Sequence, residues 1–76
     1  MNTEDKVKKI IIEQLGVEPK FITPTSCLVN DLGADSMDVL ELILTIETDF
    51  KIKFTESDER KIKTFQDLVS CVEGKQ

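Results

Sequence analysis

The 76-residue sequence contains no histidine, no tryptophan and no tyrosine, and it has only two cysteines. Without histidine, a nucleophilic serine or cysteine lacks its usual general base, which excludes a self-contained serine hydrolase. Two cysteines without a C-x-x-C pair make neither a zinc site nor a secreted disulfide framework. We therefore expect no catalytic residue and no metal centre. Cys27 and Cys71 are expected to be small, partly buried thiols in a reducing cytosol.

Long apolar runs and basic residues are scarce as well. No apolar run approaches the roughly 20 residues that span a bilayer, and the amino terminus lacks the apolar segment of a signal peptide. Lys and Arg are absent from residues 21 to 50, and the net charge is −5 at pH 7. Such an acidic surface repels nucleic acid and anionic membranes, so it indicates basic protein partners or simply good solubility. The protein is expected to be cytoplasmic, without nucleic-acid binding or membrane insertion.

The chain is short for an enzyme with an enclosed active site. A domain of this size buries only roughly 60% of the surface that its unfolded chain exposes. The hydrophobic fraction of 39% is still sufficient for a core, and no repeat or low-complexity tract divides the sequence. We expect residues 1–76 to form one domain.

The amino-terminal half of the chain predicts two helices joined by a long loop. Apolar residues recur at helical spacing between a candidate N-cap at Thr3 and a stop at Gly16. A second helix is expected over residues 36–50. The connection between them, residues 17–35, is longer than most loops of compact domains. We expect it to be pinned to the core by its apolar residues, namely Phe21, Ile22, Cys27, Leu28, Val29 and Leu32.

The remaining residues predict two further helices, each opened by a threonine with an aspartate three residues later, the spacing of a capping box. Thr55 begins a short helix that ends near Ile62, and Thr64 begins a helix that ends at Gly74. The last helix is expected to bury Phe65, Leu68, Val69 and Val72. No stretch demands a sheet, so the expected fold is all-α. It is a small four-helix bundle with three main helices, one short helix and a long loop between helices one and two.

The second predicted helix carries apolar residues on two sides. At about 100° per residue, the core face gathers Val39, Leu42, Ile43, Ile46 and Phe50. The opposite side gathers Met37, Leu40 and Leu44, with Glu41 and Glu47 at its edges. A second apolar stripe edged by carboxylates is typical of a surface that docks into an apolar groove with a basic rim. The alternative is that other parts of the chain cover this stripe.

Ser36 begins the second helix and lies between Asp35 and Asp38. These carboxylates are weak bases for an alcohol, so the serine is not expected to be a nucleophile. An EF-hand loop counted from Asp31 fails, because Ser36 and Leu42 stand where glycine and glutamate are required, although weak divalent-cation binding stays open. A serine at a helix N-terminus presents its hydroxyl beside free backbone N–H groups that favour a phosphate. The residues alone leave two interpretations, a serine that only caps the helix and a serine that is modified.

Residues 31–38, D-L-G-A-D-S-M-D, resemble the D-L-G-A-D-S-[LM]-D signature of acyl carrier proteins of type II, dissociated fatty acid synthesis. The likeness covers the whole chain, including residues 7–17 of the first helix and residues 61–64 before the last. The resemblance implies that a carrier-protein synthase attaches 4′-phosphopantetheine covalently to Ser36 from coenzyme A. It implies that the thiol of this arm holds growing fatty acyl chains as thioesters and delivers them to fatty acid synthesis enzymes. The protein is then a carrier and not an enzyme.

The resemblance also implies which residues meet the partner enzymes. In a monomeric carrier, basic docking patches on these enzymes would contact four acidic positions, Asp35, Asp38, Glu41 and Glu47. Apolar contacts would come from Met37, Leu40 and Leu44. A carrier for polyketide, peptide or other specialised synthesis is an alternative, and so is an unmodified acidic interaction module.

Several positions depart from the family pattern. Thr48 stands where many relatives have a further acid, and Lys51 and Lys53 end the acidic character after the second helix. Leu68 is larger than the residue often found there and is expected to narrow the space that shelters an acyl chain. Two further departures are Leu28, which stands where Phe is frequent, and Phe54, which stands where Ile is frequent. We hypothesise that the smaller side chain at one position compensates for the larger side chain at the other within one core.

Overall fold

The computed structural model describes residues 2–76, which contain four α-helices: α1 (Thr3–Leu15), α2 (Ser36–Phe50), α3 (Glu56–Lys61) and α4 (Phe65–Lys75). One turn of 3₁₀ helix, Pro19–Phe21, lies in the loop between α1 and α2. No strand occurs in this part of the chain, where a single isolated bridge joins Cys27 to Thr64. None of these helices combines the length and the apolar character needed to cross a bilayer. The predicted all-α fold, with three main helices, a short one and a long loop, is confirmed.

Both predicted capping boxes are confirmed. Thr55 and Thr64 each accept a hydrogen bond from the backbone N–H of the aspartate three residues later, and that aspartate accepts one from the threonine N–H. These exchanges satisfy N–H groups that the first helical turn leaves without partners. Gly16 ends α1 with φ of 68°, a left-handed conformation that glycine adopts without steric cost.

Two predicted helix limits are wrong by one residue. Asn2, and not Thr3, caps α1, because the Asn2 side-chain carbonyl accepts a hydrogen bond from the N–H of Asp5 at 2.8 Å. At the other end of the chain, α4 continues through Gly74 to Lys75. The Lys75 ammonium reaches a carboxylate of α3 at 2.7 Å, and this contact holds the final turn.

The core forms where the apolar faces of the helices meet. Val39 and Phe50, which were predicted to belong to the core face of α2, are half-buried and pack against the core cluster. Leu28 and Phe54 both lie in this cluster, which their exchange of bulk requires, and the exchange itself stays a prediction. The helices supply the buried residues Val7, Ile11, Leu42, Ile43, Ile46, Phe65, Leu68, Val69 and Val72.

The long loop is held to the folded domain, as predicted, and backbone hydrogen bonds that the sequence did not predict join it to the beginning of α4. The N–H of Leu28 donates to the carbonyl of Lys63 at 3.0 Å, and the N–H of Phe65 donates to the carbonyl of Ser26 at 2.9 Å. The buried Ser26 hydroxyl in turn donates to the carbonyl of Phe21 at 2.7 Å. Because its backbone groups find partners inside the domain, the loop forms part of the folded structure and not a free linker.

Not every apolar residue of the loop contributes to the core. The predicted burial is wrong for Phe21 and Val29, which are 55% and 54% exposed. Each is adjacent in sequence to a buried residue, and a turn has no regular period that would bury both neighbours. Cys27 is half-buried and unpaired, as is Cys71, which agrees with the prediction. The loop residues that do enter the core are Ile22, Leu28 and Leu32.

Candidate functional site

Ser36 is positioned by the short segment that leads from the loop into α2. Ala34 is buried, and its N–H donates to the carbonyl of Leu28 at 3.0 Å, which fixes the chain two residues before the serine. The residue before Ala34, Gly33, has φ of 75°, where a side chain would cost roughly 1–2 kcal/mol. This glycine therefore turns the chain from the loop into the helix and sets the position at which α2 begins with Ser36.

The first turn of α2 is capped by the two aspartates that flank Ser36. Asp35 is the N-cap, and its Oδ1 accepts a hydrogen bond from the N–H of Asp38 at 2.9 Å. Oδ2 of Asp38 accepts one from the N–H of Asp35 at 3.2 Å. The interpretation of Ser36 as the cap is therefore wrong. The signal was present in the sequence, since Asp35 and Asp38 have the same spacing as the two threonine–aspartate boxes.

The Ser36 hydroxyl is available for modification. The residue is exposed, and its Oγ makes no hydrogen bond within residues 2–76, because the cap is formed by its neighbours. The N–H groups of Ser36 and Met37 also find no acceptor in this part of the chain. Free N–H groups and the helix dipole stabilise a phosphate at such a position. These residues fit a group joined to Ser36 through a phosphodiester.

The apolar stripe of α2, defined as Met37, Leu40 and Leu44, lies in contact with solvent. These side chains are 63%, 42% and 52% exposed. The predicted exposure is confirmed, and the alternative in which the chain covers the stripe is wrong. Three large exposed apolar residues on one helix mark a surface that another molecule can bury. Their binding to partner enzymes stays a prediction.

The acidic residues predicted to meet partners are not equivalent. Asp35 and Asp38 each commit one carboxylate oxygen to the cap of α2. Glu47 is half-buried, and its Oε2 accepts a hydrogen bond from the N–H of Phe54 at 2.7 Å, which ties the end of α2 to the segment before α3. Glu41 is exposed and takes part in no ion pair within residues 2–76. Of the four, Glu41 has its whole carboxylate free for a partner.

A groove of about 220 Å³ opens between the loop, α2 and the junction of α3 and α4. Its lining includes Leu28, Val39 and Ile62, and two of these, Leu28 and Ile62, belong to the core cluster. Val39 is three residues from Ser36 on α2, so the groove lies within about one helical turn of the serine. A largely apolar groove that is lined in part by core residues suits a hydrocarbon chain.

One ion pair holds the short helix α3 beside this groove. α3 buries none of its own residues, and Asp58 binds Lys75 of α4 at 2.7 Å. The hydrogen bond from Lys75 lowers the pKa of Asp58 to about 2, and the same contact raises the pKa of Lys75. No local pattern predicts this pair, because its members lie on different helices. No group of three or more potential ligands within residues 2–76 is arranged to hold a metal ion.

Residues 5–72 match the family described as "Phosphopantetheine attachment site". The class of the protein is therefore that of helical carrier domains to which 4′-phosphopantetheine is covalently attached. The match contains the whole of α2 and the loop that precedes it.

Curated relatives identify the family within this class. The acyl carrier protein of Bdellovibrio bacteriovorus is 43% identical over 75 residues, which cover 99% of this chain and 96% of that protein. The acyl carrier protein of Nitratidesulfovibrio vulgaris strain DP4 is 43% identical over 76 residues, which cover 100% of both chains. The chain belongs to the acyl carrier protein family.

A solved structure has the same fold. The solution structure of the apo doublet acyl carrier protein from prodigiosin biosynthesis superposes with a TM-score of 0.82 over 97% of this chain, at 23% identity. This chain spans 36% of that longer one. The structural likeness shows that this chain has the fold of an experimentally determined carrier protein.

Proposed function

We propose that this chain carries growing fatty acyl chains as thioesters on a 4′-phosphopantetheine arm attached to Ser36, and that it delivers them to fatty acid synthesis enzymes in the cytoplasm. The observation that carries the proposal is the exposed Ser36 hydroxyl, which makes no hydrogen bond with the described chain and lies at the start of α2. The thiol at the end of the arm supplies the thioester chemistry. The chain acts as a monomeric, single-domain carrier, and its partners perform the catalysis.

The residues around Ser36 support attachment and retention of the arm. The exposed hydroxyl lets a carrier-protein synthase reach it, and the free N–H groups of Ser36 and Met37 can donate to phosphodiester oxygens. Asp35 and Asp38 oppose this phosphate electrostatically, but their negative charge favours the approach of a basic modifying enzyme. The cap they form keeps α2 intact while Ser36 is modified.

An apolar groove near Ser36 can bind the acyl chain. The groove lined by Leu28, Val39 and Ile62 opens within about one helical turn of Ser36. Each methylene removed from water there contributes about 0.8 kcal/mol. Shelter of the chain against the core cluster would protect it between visits to partner enzymes.

Partner enzymes dock on the exposed side of α2 in this proposal. The apolar stripe supplies the surface that a partner buries, and Asp35, Asp38, Glu41 and Glu47 supply the charges that attract its Arg and Lys residues. Such charges mainly raise the association rate and set the orientation of the partner. Basic docking patches on the enzymes are the complementary feature.

Intact mass measures attachment at Ser36 directly. The unmodified chain is incubated with coenzyme A and a carrier-protein synthase, beside Ser36→Ala and the control Ser57→Ala, which changes an exposed serine of α3. We expect the native chain and the control to gain one phosphopantetheine and Ser36→Ala to gain none. If the native chain gains nothing, or if Ser36→Ala is still modified, the proposed attachment site is wrong. Circular dichroism verifies that each variant remains helical.

A further inference from the structure

The carboxyl end of α2 opens into a second groove, which continues the apolar stripe. Its volume is about 550 Å³, and its lining comprises Leu44, Glu47, Thr48, Lys51, Ile52 and Lys53. Leu44 belongs to both surfaces. A molecule that buries the stripe along α2 therefore reaches this groove next.

The charge of this groove is opposite to that of the amino-terminal end of the stripe. Lys51 and Lys53 are exposed, and neither takes part in an ion pair within residues 2–76. The Glu47 carboxylate already accepts the N–H of Phe54 at 2.7 Å. Thr48 is neutral, and its hydroxyl donates to the carbonyl of Leu44 at 3.0 Å. Two cations without an anionic partner thus border an apolar floor.

The backbone of Lys51 is held in place by the end of the helix. It has φ of 57° and ψ of 48°, and its N–H donates to the carbonyl of Glu47. This left-handed position usually favours glycine because a side chain strains it. A lysine here places an ammonium at the carboxyl end of α2, where the helix dipole stabilises a cation.

The two ends of the surface are far enough apart to act separately. Ten residues separate Glu41 from Lys51, which corresponds to about 15 Å along the helix axis. The Debye length at physiological ionic strength is only about 8 Å. The charge of Glu41 is therefore largely screened at the lysines, and Glu47, the one carboxylate that lines the groove with them, leaves its lining with one net positive charge.

We propose that α2 presents a docking surface of two signs. A partner enzyme that buries the apolar stripe places basic residues against Asp38 and Glu41, and it places carboxylates against Lys51 and Lys53, about 15–20 Å further along. The occupant is a folded protein with both charges on one face. The inference rests on the proposed function, which identifies such proteins as the enzymes that visit the carrier.

The direction of a charge-reversal effect tests the proposal. Lys51→Glu with Lys53→Glu makes the carrier more acidic, and so does the control pair Lys9→Glu with Lys20→Glu, which changes exposed lysines outside α2. A partner that recognises only the acidic charge of the carrier should bind the Lys51→Glu, Lys53→Glu variant more tightly. A partner that reads both signs should bind it about tenfold more weakly, from the loss and reversal of two exposed ion pairs.

Binding is measured by titration against the carrier-protein synthase and purified fatty acid synthesis enzymes of the same genome. The proposal expects weaker binding of the α2 variant by at least one of them, with the control pair unchanged or tighter. Unchanged or tighter binding by every partner overturns it. If coenzyme A alone shifts the amide resonances of residues 51–53, the groove takes a small anion, which also overturns it. Intact mass of the same variants reports arm attachment, so failure of the proposed function remains distinguishable.

Discussion

Leu68 offers a test of where the acyl chain is sheltered. Its side chain in α4 is 1% exposed and lies in the same core cluster as Leu28 and Ile62, which line the groove near Ser36. An acyl chain that enters this groove meets the cluster. Replacing Leu68 by alanine opens space in it, so the variant should lose stability without an acyl chain and accept a longer chain when loaded.

The two effects have comparable magnitudes. Loss of a buried leucine side chain costs about 2–5 kcal/mol, against a total stability of about 4–11 kcal/mol for a chain of this length. Each methylene that fills the space returns about 0.8 kcal/mol. Three carbons are missing in the alanine side chain, so about three further methylenes should recover about 2.4 kcal/mol. The chain length at which stabilisation saturates should increase by about two or three carbons.

Urea unfolding of a series of acyl forms measures this saturation. Native protein, Leu68→Ala and Ile11→Ala are each loaded with saturated chains of increasing length. Neither residue lines the groove itself, but Leu68 lies one turn after Phe65, whose N–H donates to the loop beside the groove. Ile11 is fully buried in the same cluster on α1, so its replacement should lower stability without changing the saturating length. If Leu68→Ala is unfolded without an acyl chain, Leu68→Val provides a milder change. Equal saturating lengths for native and Leu68 variants would refute the narrowing of the shelter by Leu68.

Two further predictions concern charge. Glu41→Lys should weaken partner binding by up to about tenfold, with unchanged helix content. Titrations at two salt concentrations should show that added salt weakens binding of the native chain. Binding that does not change with salt would contradict an electrostatic contribution to docking. Asp58 has its pKa lowered from 3.8 to about 2 by the hydrogen bond from Lys75. Its contribution to stability is therefore complete above pH 3.8 and is lost as the pH falls toward 2. Urea midpoints over this range should fall less steeply for Asp58→Asn, and equal slopes would contradict the role of the pair.

Local signals predicted most of the helical structure. The limits of α2, the boxes at Thr55 and Thr64 and the buried stripe of α4 follow from residues within a few positions of one another. The amphipathic pattern of α2 also predicted which of its apolar residues would stay exposed. Periodicity and capping succeed because each depends on one helix alone.

Periodicity and capping patterns do not predict contacts between segments that are distant in the sequence. The bond from the Phe54 N–H to Glu47 and the pair between Asp58 and Lys75 depend on how α2, α3 and α4 approach one another. The helical pattern of α2 therefore predicted Glu47 to be a purely external charge. Local patterns also failed at the exposed Phe21, because a turn residue has no periodicity that fixes the side on which it lies. The proposed attachment site rests on the motif around Ser36, since a serine at a helix start usually serves as a cap.

The cap formed by Asp35 and Asp38 has a consequence for how an enzyme distinguishes a loaded carrier from an empty one. Because α2 begins without any contribution from the Ser36 side chain, attachment or removal of a group at that oxygen breaks no hydrogen bond of the helix. The hydrogen bonds that cap α2 are then the same in the loaded and the empty carrier. In the proposed carrier, recognition of cargo must therefore come from the arm and the acyl chain, which an enzyme can contact only where the groove does not shelter them.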